Sequence, residues 1–412
     1  MVNQKPRSES GLFYANKFKI LGILSRMPEE RTLGHKRLIM YAVGFFFSLS
    51  AAIPTYVSSS YLSGFIGDRL AGIIYTAASL IAVAAFVEMP AAIRRFGALR
   101  TGLVLIGLEL ASIGALTMGI DALSVIAGFM LNFVTISLLN FVIDLILESF
   151  STNSHTGKIR GSYLSIVNIA WLISPLLAAK ILDLGSFPAI YAISGVLLVP
   201  VTALCLLAFR SVRGPELSRV PFWKSFGEVW GNRDLKAVLM IQLLLQFFYA
   251  WMIIYTPLYL RDTVGFSWEE IGTIFTFMLL PFAMIEAPMG RLADRIGEKS
   301  IMSVGFGIMG MATCLISFVT DHDPFIWSLL LFMTRVGAAM VEVMADTFFF
   351  KKVDASSASA ISFFRSARPL AYVISPIAAT ILLVFLDMKG LFIALGILML
   401  YGLRYAFSIK DA

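Results

Sequence analysis

Apolar residues in this chain do not alternate as on a half-buried strand, nor mark one stripe of a surface helix. They run on for about twenty positions at a time, long enough to cross a hydrocarbon core of about 30 Å, and are broken by short charged or turn-rich segments. Reading between the breaks predicts helices near 37–60, 69–89, 101–120, 122–148, 158–182 and 187–209. A second set follows near 236–260, 268–289, 300–320, 324–350, 357–385 and 389–408. Backbone polar groups in lipid must be satisfied within the segment, so runs of this kind are helices. The fold class that follows is an all-α membrane protein with twelve transmembrane helices.

The two sets repeat at an offset near 200 residues. Ile173-Ser174-Pro175 in the fifth helix returns as Ile374-Ser375-Pro376 in the eleventh. Glu88-Met89-Pro90 at the end of the second returns as Glu286-Ala287-Pro288 in the eighth, followed by Gly97 and Gly297 respectively. Pro54 and Tyr56 in the first helix match Pro257 and Tyr259 in the seventh. Matches in register across three helix pairs indicate a duplicated six-helix unit. Duplication implies two six-helix bundles related by a pseudo-twofold axis along the membrane normal, with a binding site where they meet. The expected organisation is an N-terminal arm (1–36), a first bundle (37–209), a central loop (210–235), a second bundle (236–408) and a short tail (409–412). Residues 11–27 place Leu12, Phe13, Ile20, Leu24 and Met27 near one helical face, and Phe222, Trp223, Phe226, Val229 and Trp230 do the same in the central loop. Both suit helices lying in the membrane interface, and a basic arm is an equal reading of the first.

Charge then sets the orientation. Of the 412 residues 58% are hydrophobic and 14% charged, and the net charge of +7 is carried unevenly. With the N-terminus inside, the cytoplasmic segments hold Lys36, Arg37, Arg94, Arg95, Arg100, Lys158, Arg160, Arg210, Arg213, Arg219, Lys224, Arg233, Arg291, Arg295, Lys299, Lys351 and Lys352. The opposite loops are short and mostly acidic or neutral, with Asp68, Asp121, Asp183, Asp321 and Asp323. This asymmetry predicts a multi-pass protein of a cell membrane with both termini cytoplasmic, and a prokaryotic inner membrane suits it better than an organelle. The basic excess is therefore loop charge rather than a nucleic-acid surface, since no basic stripe is interleaved with exposed aromatics. Cys205 and Cys314 lie in separate apolar runs and His35, His155 and His322 in loops, so no disulfide framework, metal site or cofactor site is expected.

Between helices eight and nine the chain reads GRLADRIGEKS, from Gly290 to Ser300. This resembles the signature of the major facilitator superfamily, in its usual cytoplasmic place within a six-helix half. Helix count, orientation and repeat extend the resemblance over nearly the whole chain. The first-half copy, Ala91 to Arg100, departs from it: Arg94 stands where Asp294 would be. The resemblance implies a transporter rather than an enzyme, and assigns Gly290, Arg291, Asp294, Arg295, Gly297 and Lys299 to gating. In physical terms Gly290 and Gly297 allow a tight reversal between helices, Asp294 can face the positive end of a neighbouring helix, and Arg295 can reach a carboxylate on the adjacent hairpin.

Ionisable residues in lipid-spanning segments normally face a cavity or a partner, and here they fall on few helices. The fourth carries Asn140, Asp144 and Glu148 at four-residue spacing; the tenth carries Arg335, Glu342 and Asp346 along nearly one line. Arg160 adds to the fifth, and Arg365 and Arg368 to the eleventh. Counting from the turns at Ser154 and Asp354 matches Glu148 with Arg160, Asp346 with Arg365 and Glu342 with Arg368 in depth, as gate salt bridges or proton-coupling groups. Arg335 has no partner at its depth on its own helix and is the candidate for an anionic substrate group, pairing with another helix being the competing reading. Glu109, alone in helix three, is either a proton-handling group or a buried structural carboxyl. Asn140, Asn168, Trp171, Gln242, Gln246 and Tyr249 complete the candidate cavity, although such side chains also join helices to one another.

No GxxxxGK[ST] loop exists to drive transport by ATP. The expectation is secondary transport of a small-molecule substrate by alternating access, coupled to protons through buried carboxylates, by a monomer embedded in the lipid bilayer. A flippase for lipids or amphiphiles on the same fold, a transporter-like sensor, and an intramembrane enzyme are the alternatives. The last would need a nucleophile–base pair or metal cluster at membrane depth, and the residues offer neither.

Overall fold

A computed structural model describes residues 38–148, 156–208, 230–285, 296–352 and 366–409, with a few isolated residues between. Within them the chain is helical almost throughout. We number the helices α1 (Leu38–Ile66), α2 (Asp68–Phe96), α3 (Ala98–Met118), α4 (Ala122–Glu148), α5 (Thr156–Leu184) and α6 (Phe187–Ala208). The second set is α7 (Arg233–Leu258), α8 (Trp268–Met284), α9 (Glu298–Leu315), α10 (Pro324–Lys352), α11 (Ala367–Leu382) and α12 (Met388–Ser408). The hydropathy breaks locate these elements closely. Two differences have local causes. Pro54 interrupts α1, which loosens into a turn at Tyr56–Val57 before resuming at Ser58. Pro257 lies in the last turn of α7, which continues as one π-helical turn over Tyr259–Val264 and so outruns its expected end.

Short connections hold neighbours antiparallel. Gly97 between α2 and α3, and Gly297 before α9, have φ of 83° and 82°, a backbone region open to glycine and strained for other residues. They occupy equivalent places in the two halves. Asn232 caps α7 by accepting from Asp234 and Leu235, and Ser267 with Glu270 forms a capping box on α8.

Large apolar side chains remain exposed along the helices, among them Val104, Leu108, Leu123, Val196, Val199, Phe277, Leu329, Ile381 and Ile397. Such a band suits contact with lipid chains and would be an aggregation hazard in water. Within the first half α3 packs on α4 and α6, and α2 on α4; within the second α9 packs on α10 and α12 and α8 on α10. The halves meet along α2–α11 and α5–α8, with α1 against α7. A shift of six helices converts the first pair into the second, which is the pseudo-twofold relation the repeat predicts.

Candidate functional site

The interface between the halves is tightest at the end where α2 and α8 begin, the outer end in the orientation that loop charge predicts. A Cβ placed on Gly72 of α2 would lie 2.6 Å from the Tyr255 hydroxyl, 2.8 Å from Thr380 Oγ1 and 3.7 Å from the Pro376 carbonyl. One placed on Gly272 of α8 would lie 2.4 Å from Ala179 Cβ and 2.8 Å from the Pro175 carbonyl. Residues 72 and 272, 175 and 376, 179 and 380 are repeat equivalents, so one close crossing is built twice. Helices approach this closely only where one side chain is absent. Aromatic contacts reinforce the seal: Tyr56 meets Phe275 at 5.0 Å between ring centroids, and Phe187 meets Trp268 edge-on at 5.6 Å.

Deeper in, Phe133 of α4 reaches Tyr372 of α11, with centroids 5.9 Å apart. Asn140 and Asp144 follow Phe133 at seven and eleven residues, hence on the same face of α4. They are exposed, as are Arg368 and Asp346 on the facing side of the second half. Because Phe133 fixes that face as the one turned toward the other half, these polar groups border the inter-half space rather than lipid. The interface is therefore sealed at one end and bordered by exposed polar groups toward the other.

At the level between, α10 and α7 assemble a charged cluster. Arg335 is 2% exposed, its guanidinium lying 5.3 Å from the ring centroids of both Phe248 and Tyr249. Its Nε has no hydrogen-bond partner. Two turns on, the Glu342 carboxylate accepts the Tyr249 hydroxyl at 2.6 Å, with Arg368 and Arg335 as the cations acting on it. Tyr249 thus touches both members: its ring faces Arg335 and its hydroxyl holds Glu342. The Glu342–Arg368 pair expected from depth is realised as charge proximity, and the hydrogen bond comes from α7 instead. Of the expected cavity residues, Asn168 and Trp171 are half-buried on the face of α5 that carries Pro175 to α8, Gln246 is buried, and Gln242 Oε1 is buried without a partner.

Glu109 belongs elsewhere. It is 1% exposed in the seam between α3 and α4, where Asn132 donates to it at 2.6 Å and Thr135 and Ser112 lie against its other oxygen. Gly290, Arg291, Asp294, Arg295 and Arg365 lie outside the described residues, as do the N-terminal arm and most of the central loop; so do the side chains of Glu148 and Arg160. Of the signature, Gly297 takes the positive φ expected of it, and Lys299 is half-buried in the first turn of α9.

Sequence reasoning missed several groups. Tyr56, Tyr75 and Tyr372 are buried at or beside the interface, and pattern alone does not separate them from core aromatics. Glu298 is buried with Lys351 Nζ at 2.6 Å, while Lys352 reaches Asp234 at 3.4 Å. These pairs tie the end of α10 to α9 and α7 inside one half. The close crossings were within reach, since Gly72 and Gly272 recur at the repeat offset beside the Ser-Pro pairs already aligned.

Comparison with known proteins places this geometry. The family model for the Major Facilitator Superfamily matches residues 256–409. A "Probable L-galactonate transporter" of Escherichia coli (strain K12) is 22% identical over 148 residues, 34% of this chain and 30% of that protein. The "Probable sulfoacetate transporter SauU" of Cupriavidus necator is 27% identical over 157 residues, 37% of this chain and 36% of that one. The matched region is thus about a third of the length of these curated relatives. Solved structures match over nearly the whole chain. The POT family transporter PepTSo has a TM-score of 0.75 at 12% identity, covering 91% of this chain and 97% of its own. The nucleoside transporter NupG has 0.73 at 12%, covering 91% and 100%. A bacterial homologue of the iron transporter ferroportin, in an inward-facing state, has 0.70 at 14%, covering 90% and 97%. The chain is thus a multi-span helical membrane protein, similar to the Major Facilitator Superfamily over residues 256–409 and sharing the fold of these solved transporters over both halves.

Proposed function

We propose that the protein is a secondary transporter of small organic anions that works by alternating access between its two six-helix halves. The observation that carries this reading is Arg335. A guanidinium buried at mid-interface, faced by two aromatic rings and with a donor left unpaired, is a receptor for a carboxylate or sulfonate. The relatives named for L-galactonate and sulfoacetate transport support the class, since both solutes are small acids.

The sealed outer end corresponds to one state of a rocking cycle, with the site reached from the cytoplasm. Transport is proton-linked, the cavity carboxylates Asp144, Glu342 and Asp346 exchanging protons as the anion and the cationic groups pair. Gly290, Arg291, Asp294 and Arg295, with Gly297 and Lys299, latch the cytoplasmic end in the opposite state, joined by Glu148 with Arg160 and Asp346 with Arg365. The protein acts as a monomer in a prokaryotic inner membrane with both termini cytoplasmic.

Counterflow in proteoliposomes tests the reading. A panel of hexonates and short sulfonates, including L-galactonate and sulfoacetate, should contain at least one solute exchanged by the wild type and not by Arg335→Gln. A neutral solute carried equally well by both would refute the anion assignment.

A further inference from the structure

The hydroxyl hydrogens around Glu109 are contested, since fewer of them exist than acceptors within their reach. Oε1 of the carboxyl accepts from Asn132 Nδ2 at 2.6 Å. Oε2 is flanked by two hydroxyls, Thr135 and Ser112, each with a single hydrogen to give. Both hydrogens have another acceptor in place: Thr135 Oγ1 lies 2.8 Å from the Leu131 carbonyl, and Ser112 Oγ lies 2.7 Å from the Glu109 carbonyl and 3.3 Å from Oε2. With those two backbone bonds made, the contact between Oε2 and Thr135 needs its hydrogen from the carboxyl itself. Charge agrees with the count. A carboxylate buried in a helix bundle requires a counter-charge. Among the described residues α4 brings only Asn132 and Thr135 to this one, α6 brings Tyr191, and Glu88, Arg94 and Arg95 of α2 are exposed.

We infer that Glu109 is a proton-binding site outside the transport cavity, and that loss of its proton switches the cavity-facing side of α4. As a neutral acid, Glu109 donates to Thr135 and leaves the Leu131 and Glu109 carbonyls with their side-chain bonds. When the proton departs to water, the carboxylate draws the hydroxyl hydrogens of Thr135 and Ser112 to itself, and both backbone bonds open. The turn that is disturbed, Leu131 to Thr135, contains Phe133, which touches Tyr372 across the interface and also meets Tyr75 at 5.9 Å. The proton state of a closed seam is thereby read at the junction of the halves. This goes beyond the anion site and needs no substrate for its operation.

Two ligand-free measurements on the full chain test it. Infrared difference spectra of the reconstituted protein should show a protonated-carboxyl band that is absent in Glu109→Gln and moves in frequency in Thr135→Val, which removes the acceptor. Thiol labelling at Asn140→Cys, with Cys205 and Cys314 replaced by serine, reads the cavity face of α4. An exposed cysteine corrects for the thiol's own titration. The corrected rate should change several-fold from mildly acidic to mildly alkaline pH, and that change should vanish in Glu109→Gln, which fixes the neutral shape. Absence of the Glu109 band overturns the proton site. A band that titrates while labelling stays constant overturns the switch. Either result leaves the anion reading to stand or fall on Arg335.

Discussion

The two halves share one helical plan but place their buried charges differently. In the first half Glu109 sits in a closed seam, and Asn132, Thr135 and Ser112 occupy both its oxygens. In the second half Arg335 sits at the interface with Nε unsatisfied, and Tyr249 links it to Glu342. Burying a polar group without a partner costs about 1–3 kcal/mol, more for a charge. A satisfied group needs no ligand to complete its hydrogen bonds, whereas an unsatisfied buried cation leaves a donor that a ligand can use. Duplication supplied the scaffold twice, and in the proposed function one copy carries the ligand contact.

The largest effect expected from this contrast is at Arg335. Arg335→Gln should weaken anion binding by about 2 kcal/mol or more, roughly thirty-fold, while thermal unfolding in detergent stays near wild type. Equal loss of folding and binding would make Arg335 a structural residue. Next comes the ion pair that ties α10 to α9 within the second half. Glu298 is 1% exposed, so Lys351→Met should destabilise by about 2 kcal/mol, the lower side for a broken buried pair because Lys351 itself faces solvent. The more open Lys352–Asp234 pair gives the contrast, and Lys352→Met should cost below about 1 kcal/mol in the same melting experiment. Gly272→Ala should cost about 1–2 kcal/mol, because its methyl would overlap Ala179 and the Pro175 carbonyl. That penalty falls on the sealed state, so labelling from the outer side should rise in this variant. Tyr249→Phe removes one hydrogen bond to Glu342 and keeps the ring over Arg335; anion affinity should fall by about 1 kcal/mol.

How far the sequence alone reached follows from what each feature rests on. Membrane helices are legible because lipid enforces long apolar runs, and eleven interruptions between such runs are hard to miss. The halves were legible because Ser174-Pro175 and Ser375-Pro376 survive in register. Arg335 was legible as an expensive residue at depth. Its aromatic neighbours were not, since Phe248 and Tyr249 belong to an α7 that is apolar around most of its circumference, and periodicity cannot say which face meets α10. Depth alone also could not foresee the hydrogen bond: Glu342 takes it from a hydroxyl on α7, with Arg368 acting on it as a charge. Glu298 escaped notice because a carboxylate beside a loop reads as solvated until α10 is folded against it.

Rocking of the halves about the interface is tested most directly by a covalent staple at the sealed end. Gly72→Cys with Thr380→Cys would join α2 to α11, because a Cβ on residue 72 already lies 2.8 Å from Thr380 Oγ1. Oxidation of this double variant in proteoliposomes should stop counterflow of the anion the wild type exchanges, and reduction should restore it. Undiminished counterflow through a fully oxidised staple would contradict alternating access in this protein.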